Sequence, residues 1–276
     1  MKGSPAALLL LLLPGCSDEV IPPVDGGGGG AGGGAAAAFR CPEVADAWPM
    51  VQAQRADGNT FCIDSREVTN DHYAAFLASG VQPEMNPQCA FVSDFTPKAD
   101  WPPAGDRGAY PVGAVTWCDA YAFCVGVGKR MCGDSDGSIM IFDDSNNKEE
   151  QFSIRPTEMW SACTMNGAQQ YAYGDEFESD RCNDFTMTPA DVLIADAETS
   201  CEGGYSGIFF LQGNAYEWEG GCKWENTGED GTAAICFNRG SNGCKTQAVG
   251  PNNDDAPLDW HAQISFRCCA DAIDVE

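Results

Sequence analysis

Cysteine is the residue that most limits what this chain can become. Of its 15 cysteines, 14 lie between Cys41 and Cys269, an even number spread along the C-terminal portion. In an exported chain such a set reads as a disulfide framework of up to seven bridges. No Cys-x-x-Cys pair occurs, and neither His72 nor His261 stands near a cysteine at zinc-ligand spacing, which disfavours a zinc ribbon or finger. Two histidines in all also exclude a three-histidine metal site. The 43% apolar content of these 276 residues is enough to bury the core of one large domain, or at most two. A formal charge of −26 repels phosphate backbones, so nucleic acid is not an expected partner. The same charge keeps the protein soluble but opposes compaction, which disulfides offset by restricting the unfolded chain.

The N-terminus accounts for the fifteenth cysteine. Lys2 and the apolar run Ala6 to Leu13 form a signal peptide over residues 1–15, too short to span a bilayer. Its end, Leu13-Pro14-Gly15-Cys16, resembles the lipobox of bacterial lipoproteins, which implies lipidation of Cys16 and anchoring in the cell envelope, at the outer membrane or cell surface. Pro14 is an unusual occupant there, and the alternative is an ordinary cleaved signal with Cys16 incidental. Several acyl chains on one residue anchor stably where a single chain does not. Residues 16–40 are a low-complexity tether rich in glycine and alanine, reaching about 25–30 Å as a flexible coil. Its formal Gly-x-Gly-x-x-Gly has no preceding strand and no βαβ unit, so it is not a dinucleotide loop.

Residues 41–276 then read as a loop-dominated α+β domain. TFCIDSRE at 60–67 has strand character. A helix follows, capped by Thr69 or Asn70 and ended by Gly80, with Tyr73, Phe76 and Leu77 on one face. A second helix starts at Thr116 with Asp119 completing a capping box. Trp117, Tyr121 and Cys124 share one face of it, while Cys118 sits about 100° around and needs a different partner. A third, short helix runs from Thr157 through Trp160 to Cys163. Residues 133–154 are an acidic insertion whose Asp134 and Asp136 hint at calcium, although the glycine falls at the wrong step for an EF-hand loop. A solvated loop is the preferred reading. Beyond residue 164 only short apolar runs interrupt a text rich in Gly, Asn and Asp.

Taken in order, several blocks are more specific than any one of them. They are Phe61-Cys62-Ile63-Asp64 with Glu67-Val68-Thr69-Asn70, Tyr110-Pro111-Val112, Trp117-Cys118-Asp119-Ala120 and Gly128-Lys129-Arg130-Met131-Cys132. Arg155-Pro156-Thr157-Glu158, Tyr171-Ala172-Tyr173-Gly174-Asp175 and Cys182-Asn183 follow. Gly213-Asn214-Ala215-Tyr216-Glu217-Trp218, Arg239-Gly240-Ser241 and Phe266-Arg267-Cys268-Cys269 close the series. This resembles the formylglycine-generating enzyme (sulfatase-modifying factor) family from about residue 60 to 270, in particular its cysteine-rich bacterial lipoprotein branch. The resemblance implies an irregular, loop-rich, disulfide-stapled fold related to C-type lectins, and a disulfide between Cys124 and Cys268.

The family oxidises a cysteine of a sulfatase peptide to formylglycine with copper and dioxygen, two thiolates five residues apart holding Cu(I). Cys244, three positions after Ser241, matches the first thiolate, but the second position is Val249, and the arginine-rich stretch that follows is replaced by the acidic PNNDDAPLD of 251–259. Cys244 and Ser241 are therefore the catalytic candidates, set against a bridged Cys244 that completes the even count and a Ser241 that is a turn residue. The bridge is the favoured reading. The family's calcium sites would use Gly213, Ala215 and Glu217, with Phe210 where a side-chain oxygen is expected, and Asn183 at a second site. Glu217 reads otherwise as a buried carboxylate bonded to backbone. The expected function is a catalytically degenerate surface module for a glycan, peptide or protein. The alternative is a formylglycine-generating-type oxidase acting on a protein cysteine. No constellation supports a third activity on the same fold.

Overall fold

Threonine hydroxyls cap the three α-helices among the described residues. The computed structural model describes residues 38–45, 47–98, 101–139, 156–179, 181–183, 201–226, 232–240, 243–249 and 264–275. Of the two caps the sequence leaves open, Thr69 is the one used: its hydroxyl accepts from the His72 N–H, and the His72 side chain accepts from the Thr69 N–H. α1 (Asn70–Ser79) then ends at Gly80, in the left-handed conformation that a residue without Cβ adopts most readily. Thr116 and Asp119 form the reciprocal box that starts α2 (Trp117–Gly126). Thr157 caps α3 (Glu158–Thr164).

Two four-stranded sheets organise the rest. In the first, β2 (Met50–Gln54), β3 (Thr60–Asp64), β9 (Cys268–Asp271) and β4 (Arg130–Met131) lie side by side in that order, all antiparallel. The second has the order β7 (Thr246–Val249), β6 (Thr232–Arg239), β5 (Tyr216–Asn226) and β8 (Ile264–Phe266), with β8 parallel to β5. A small ribbon pairs β1 (Ala38–Arg40) with β10 (Ile273–Val275). β1 moves a boundary: residues 38–40, read from composition as the end of the tether, are a strand, and the Phe39 carbonyl accepts from the Gln52 side chain. The β5–β6 hairpin is the larger departure from a loop-dominated reading, and a disulfide joins its directly opposed residues Cys222 and Cys236.

Successive residues of a strand face opposite sides of its sheet, and β9 uses this to staple both faces. Cys268 points into a core built on Tyr73 and Phe76 of α1, Trp117 and Phe123 of α2, Trp218 and Phe266, and bonds to Cys124 of α2. Cys269 points into a second core of Phe61, Ile63, Met159, Ala162, Ile208 and Leu211, and bonds to Cys132 just past β4. The Tyr73 and Phe123 rings stack at 5.7 Å in the first core, and Phe266 meets Phe123 edge-on at 5.3 Å. Cys118, off the face of Cys124 as its helical angle requires, bonds to Cys89. Cys41–Cys62, Cys163–Cys244 and Cys182–Cys201 complete seven bridges, which use all 14 cysteines of the domain.

Of the acidic insertion, residues 133–139 form a tight turn in which Asp136 accepts from the backbone and hydroxyl of Ser138; residues 140–154 lie outside the described residues. Replacing Cys132 and Cys269 together by alanine should lower unfolding free energy by about 2–5 kcal/mol in a denaturant titration, because the bridge closes a long loop. An unchanged midpoint would show that hydrogen bonding alone holds β4 to β9.

Candidate functional site

The residues that make the sequence recognisable are mostly buried charges, and their partners show what they do. Lys129, fully buried after α2, pairs with Asp64 of β3, whose other oxygen accepts the Cys268 N–H. Arg130 and Arg55 share Glu158, the first residue of α3, and both reach the exposed Asp271. Arg239 donates to Glu219 at 2.8 Å, to the Thr157 hydroxyl, and to the Cys244 carbonyl. Arg267 is the one residue between β8 of the second sheet and β9 of the first. It donates to both oxygens of Glu217, at 2.6 and 2.7 Å, and to the carbonyls of Asp64, Phe209 and Phe210. Apart from the pairs of Arg130 and Arg55 with Asp271, these are framework contacts buried from solvent.

That assignment bears on the calcium expectation for Glu217. A guanidinium takes both carboxylate oxygens of Glu217, so the cation this side chain serves is Arg267. Gly213 is packed on backbone, where a Cβ at its position would stand 1.8 Å from the Cys182 carbonyl oxygen. The Ala215 carbonyl lies against Gly240, and the Asn183 carbonyl accepts from the Asn214 N–H. Among the described residues no group of three or more acidic, histidine or cysteine side chains converges as a metal site. Glu217 is thus committed to Arg267, and Gly213 and Ala215 would offer a cation only their backbone carbonyls.

The catalytic candidates fare similarly. Cys244 is bonded to Cys163 of α3, so its sulfur is neither a nucleophile nor a soft-metal thiolate in this state. Val249, opposite Cys236 in β7, has no thiol to add. Ser241 lies outside the described residues. The Cys163–Cys244 bridge does, however, sit beside a cleft. About 490 Å³ in volume, it is lined by Trp160, Thr164, Gly167, Gln169, Gln170, Asp175, Cys244 and Lys245. That size falls in the range of small-molecule sites, about 300–1,000 Å³.

The walls of the cleft are held from behind. α3 ends at Met165 in the left-handed conformation, and Gly167 follows with its Cα close to the Trp160 ring. The Gln169 amide donates to the carbonyls of Cys163 and Ala172, and the Gln170 N–H donates to Asp175. Tyr171 and Tyr173 stack at 5.7 Å, and Tyr171 packs against Gly243 beside Cys244. Lys245 and Asp175 are exposed at the rim, and the nearby Met165 and Phe177 are 41% and 44% exposed. Sequence reasoning names Trp160, Tyr171, Asp175 and Cys244 separately, does not single out Lys245, and has no spacing that joins them. The disulfide and the loop 165–175 bring them together.

One framework carboxylate is not fully satisfied. Glu67 is completely buried; one oxygen accepts from the Asn214 amide at 2.8 Å and the other has no hydrogen-bond partner. Burial, and then the neighbouring Glu217, push its pKa from about 4.5 up to about 7. The folded state thus keeps a proton that the unfolded chain releases. Stability from this group is fully present below pH 4.5 and is lost as pH rises to about 7. Glu67→Gln, neutral throughout, should gain stability relative to the parent as pH is raised from about 5 to 8 in thermal melts. A pH-independent difference would sink this account of Glu67.

Two solved structures are similar over most of the chain. CarF shares 16% identity over 85% of this chain and 97% of its own, with a TM-score of 0.41. PvdO from Pseudomonas aeruginosa shares 15% over 78% of this chain and 81% of its own, with a TM-score of 0.42. Comparison with curated protein sequences gives no match. The sequence profile of the sulfatase-modifying factor enzyme 1-like domain matches residues 28–272, nearly the whole length. The chain belongs to the sulfatase-modifying factor enzyme 1-like family.

Proposed function

We propose that this chain is an exported, lipid-anchored binding module, a catalytically degenerate member of its family that presents a ligand cleft on a rigid scaffold. Seven disulfides mark a protein of an oxidising, extracytoplasmic compartment, and no helix among the described residues is long and apolar enough to cross a membrane. Cys16 supplies the anchor, and the glycine- and alanine-rich segment after it is the tether. A glycan, peptide or protein reached from that surface is the partner. The observation that carries the reading is the Cys163–Cys244 bond. It removes the one thiol that matches the family's copper ligands, while Val249 removes the other. The cleft stays open beside it.

The test is a map of free thiols on the exported protein, alkylated without reduction and read by peptide, paired with oxygen uptake on a cysteine peptide in the presence of copper. No alkylation at Cys163 or Cys244, and no uptake above a blank, is expected. Labelling of both together with copper-dependent uptake would overturn the reading in favour of an oxidase acting on a protein cysteine. Cys16→Ala should leave the chain unlipidated, read as the loss of incorporated labelled fatty acid. Retained label would move the anchor elsewhere.

A further inference from the structure

The cleft beside Cys163–Cys244 has a chemistry that narrows its ligand. Its deeper surface is the half-buried indole of Trp160, the buried Thr164 and the disulfide, an apolar floor that nothing in the framework accounts for. Its rim is polar and planar: the amide of Gln170, the carboxylate of Asp175 and the ammonium of Lys245. An anion is opposed by the chain's charge of −26, which excludes nucleotides and acidic polysaccharides. A purely apolar ligand would leave the rim charges without a role. A folded protein partner needs about 800 Å² of matched surface on each side, which a cleft of this size does not supply alone.

What satisfies floor and rim together is a molecule with a flat carbon–hydrogen face and hydroxyls in its plane. A pyranose ring is such a molecule: its face lies on an aromatic ring, and its edge hydroxyls both donate to a carboxylate and accept from an ammonium or amide. We infer that the cleft lined by Trp160, Gln170, Asp175 and Lys245 binds a neutral saccharide chain. This rests on the binding-module reading and names its ligand class. Trp160 supplies the stacking face, and Gly167 beside it leaves no side chain on that edge of the ring. The bridge to Cys244 and the hydrogen bonds of Gln169 hold the walls in place before the ligand arrives, which lowers the ordering cost of binding a weak, polar partner.

The experiment is tryptophan fluorescence and isothermal titration of the exported protein with malto-, cello-, manno- and N-acetylchito-hexaose, with a cysteine-containing nonapeptide as a further probe. At least one hexaose should bind saturably, with a dissociation constant between about 10 µM and 1 mM. Trp160→Ala should weaken it more than about tenfold and Trp160→Phe by much less. Asp175→Asn and Gln170→Ala, both at exposed positions, should each weaken it several-fold with the far-UV spectrum unchanged. They keep the test open if the tryptophan variant does not fold. No saturable signal with any hexaose, or binding that all four variants leave unchanged, overturns the saccharide assignment. Nonapeptide binding lost in the same variants overturns that assignment alone and keeps the binding module. Nonapeptide turnover with oxygen uptake overturns the module itself.

Discussion

Arg267 is the point on which both sheets turn. The chain passes from β8 to β9, and so from one sheet to the other, through this one residue. A fully buried guanidinium costs several kcal/mol in lost hydration unless its charge and its donors are all met. Here Glu217 meets the charge from β5 of the second sheet, while the carbonyls of Asp64, Phe209 and Phe210 meet the remaining donors from β3 and the loop before β5. Each partner comes from a segment far away in sequence. The guanidinium is satisfied only when all of them are in place, which makes it a check on the assembled fold more than a source of net stability. Glu67 bears the cost of that arrangement, as a second carboxylate beside one cation.

The disulfides and the ion pairs address the same difficulty from opposite ends. A chain with long irregular segments and a charge of −26 gains little from regular backbone ladders and loses from self-repulsion. Bridges reduce the freedom of the unfolded chain, and those at Cys268 and Cys269 close loops with sequence separations of 144 and 137 residues. Asp64–Lys129, Glu158–Arg130 and Glu219–Arg239 use basic residues, scarce in this composition, to neutralise carboxylates where they are buried. Much of the acidic surplus is left for the surface. The fold thus concentrates its few cations at the joints between segments.

Local signals in the sequence were readable wherever one residue acts on its own backbone. Thr69, Thr116 and Thr157 start helices because a hydroxyl meets an N–H three residues on, and Gly80 ends one because it tolerates a positive φ. The β5–β6 hairpin was not readable, and the reason is physical. The alternation of Tyr216-Glu217-Trp218-Glu219 breaks at Gly220-Gly221, where the pairing register shifts between Trp218 and Cys222, so an eleven-residue strand reads as two short pieces. Apart from Cys124–Cys268, which the family resemblance implies, disulfide partners were equally hidden, since pairing depends on where a segment lies and not on spacing along the chain. The cleft was hidden for the same cause: Trp160 and Lys245 are neighbours only because Cys163 and Cys244 are bonded.

Framework and site therefore carry different information. The blocks that identify the family, Gly128 to Cys132, Gly213 to Trp218 and Phe266 to Cys269, are read here as buried pairs, close backbone approaches and staples, none of which requires the family's chemistry to survive. Cys244 is where the two meet. Its carbonyl accepts from Arg239 of the framework, and its sulfur, bonded to Cys163, becomes part of a wall. The same bond that takes a thiol out of reach fixes α3 against the segment that leads into β7, so the wall is set by covalent structure. A position that matches a metal ligand in an oxidase is, in this structure, half of a disulfide that forms part of a cleft wall.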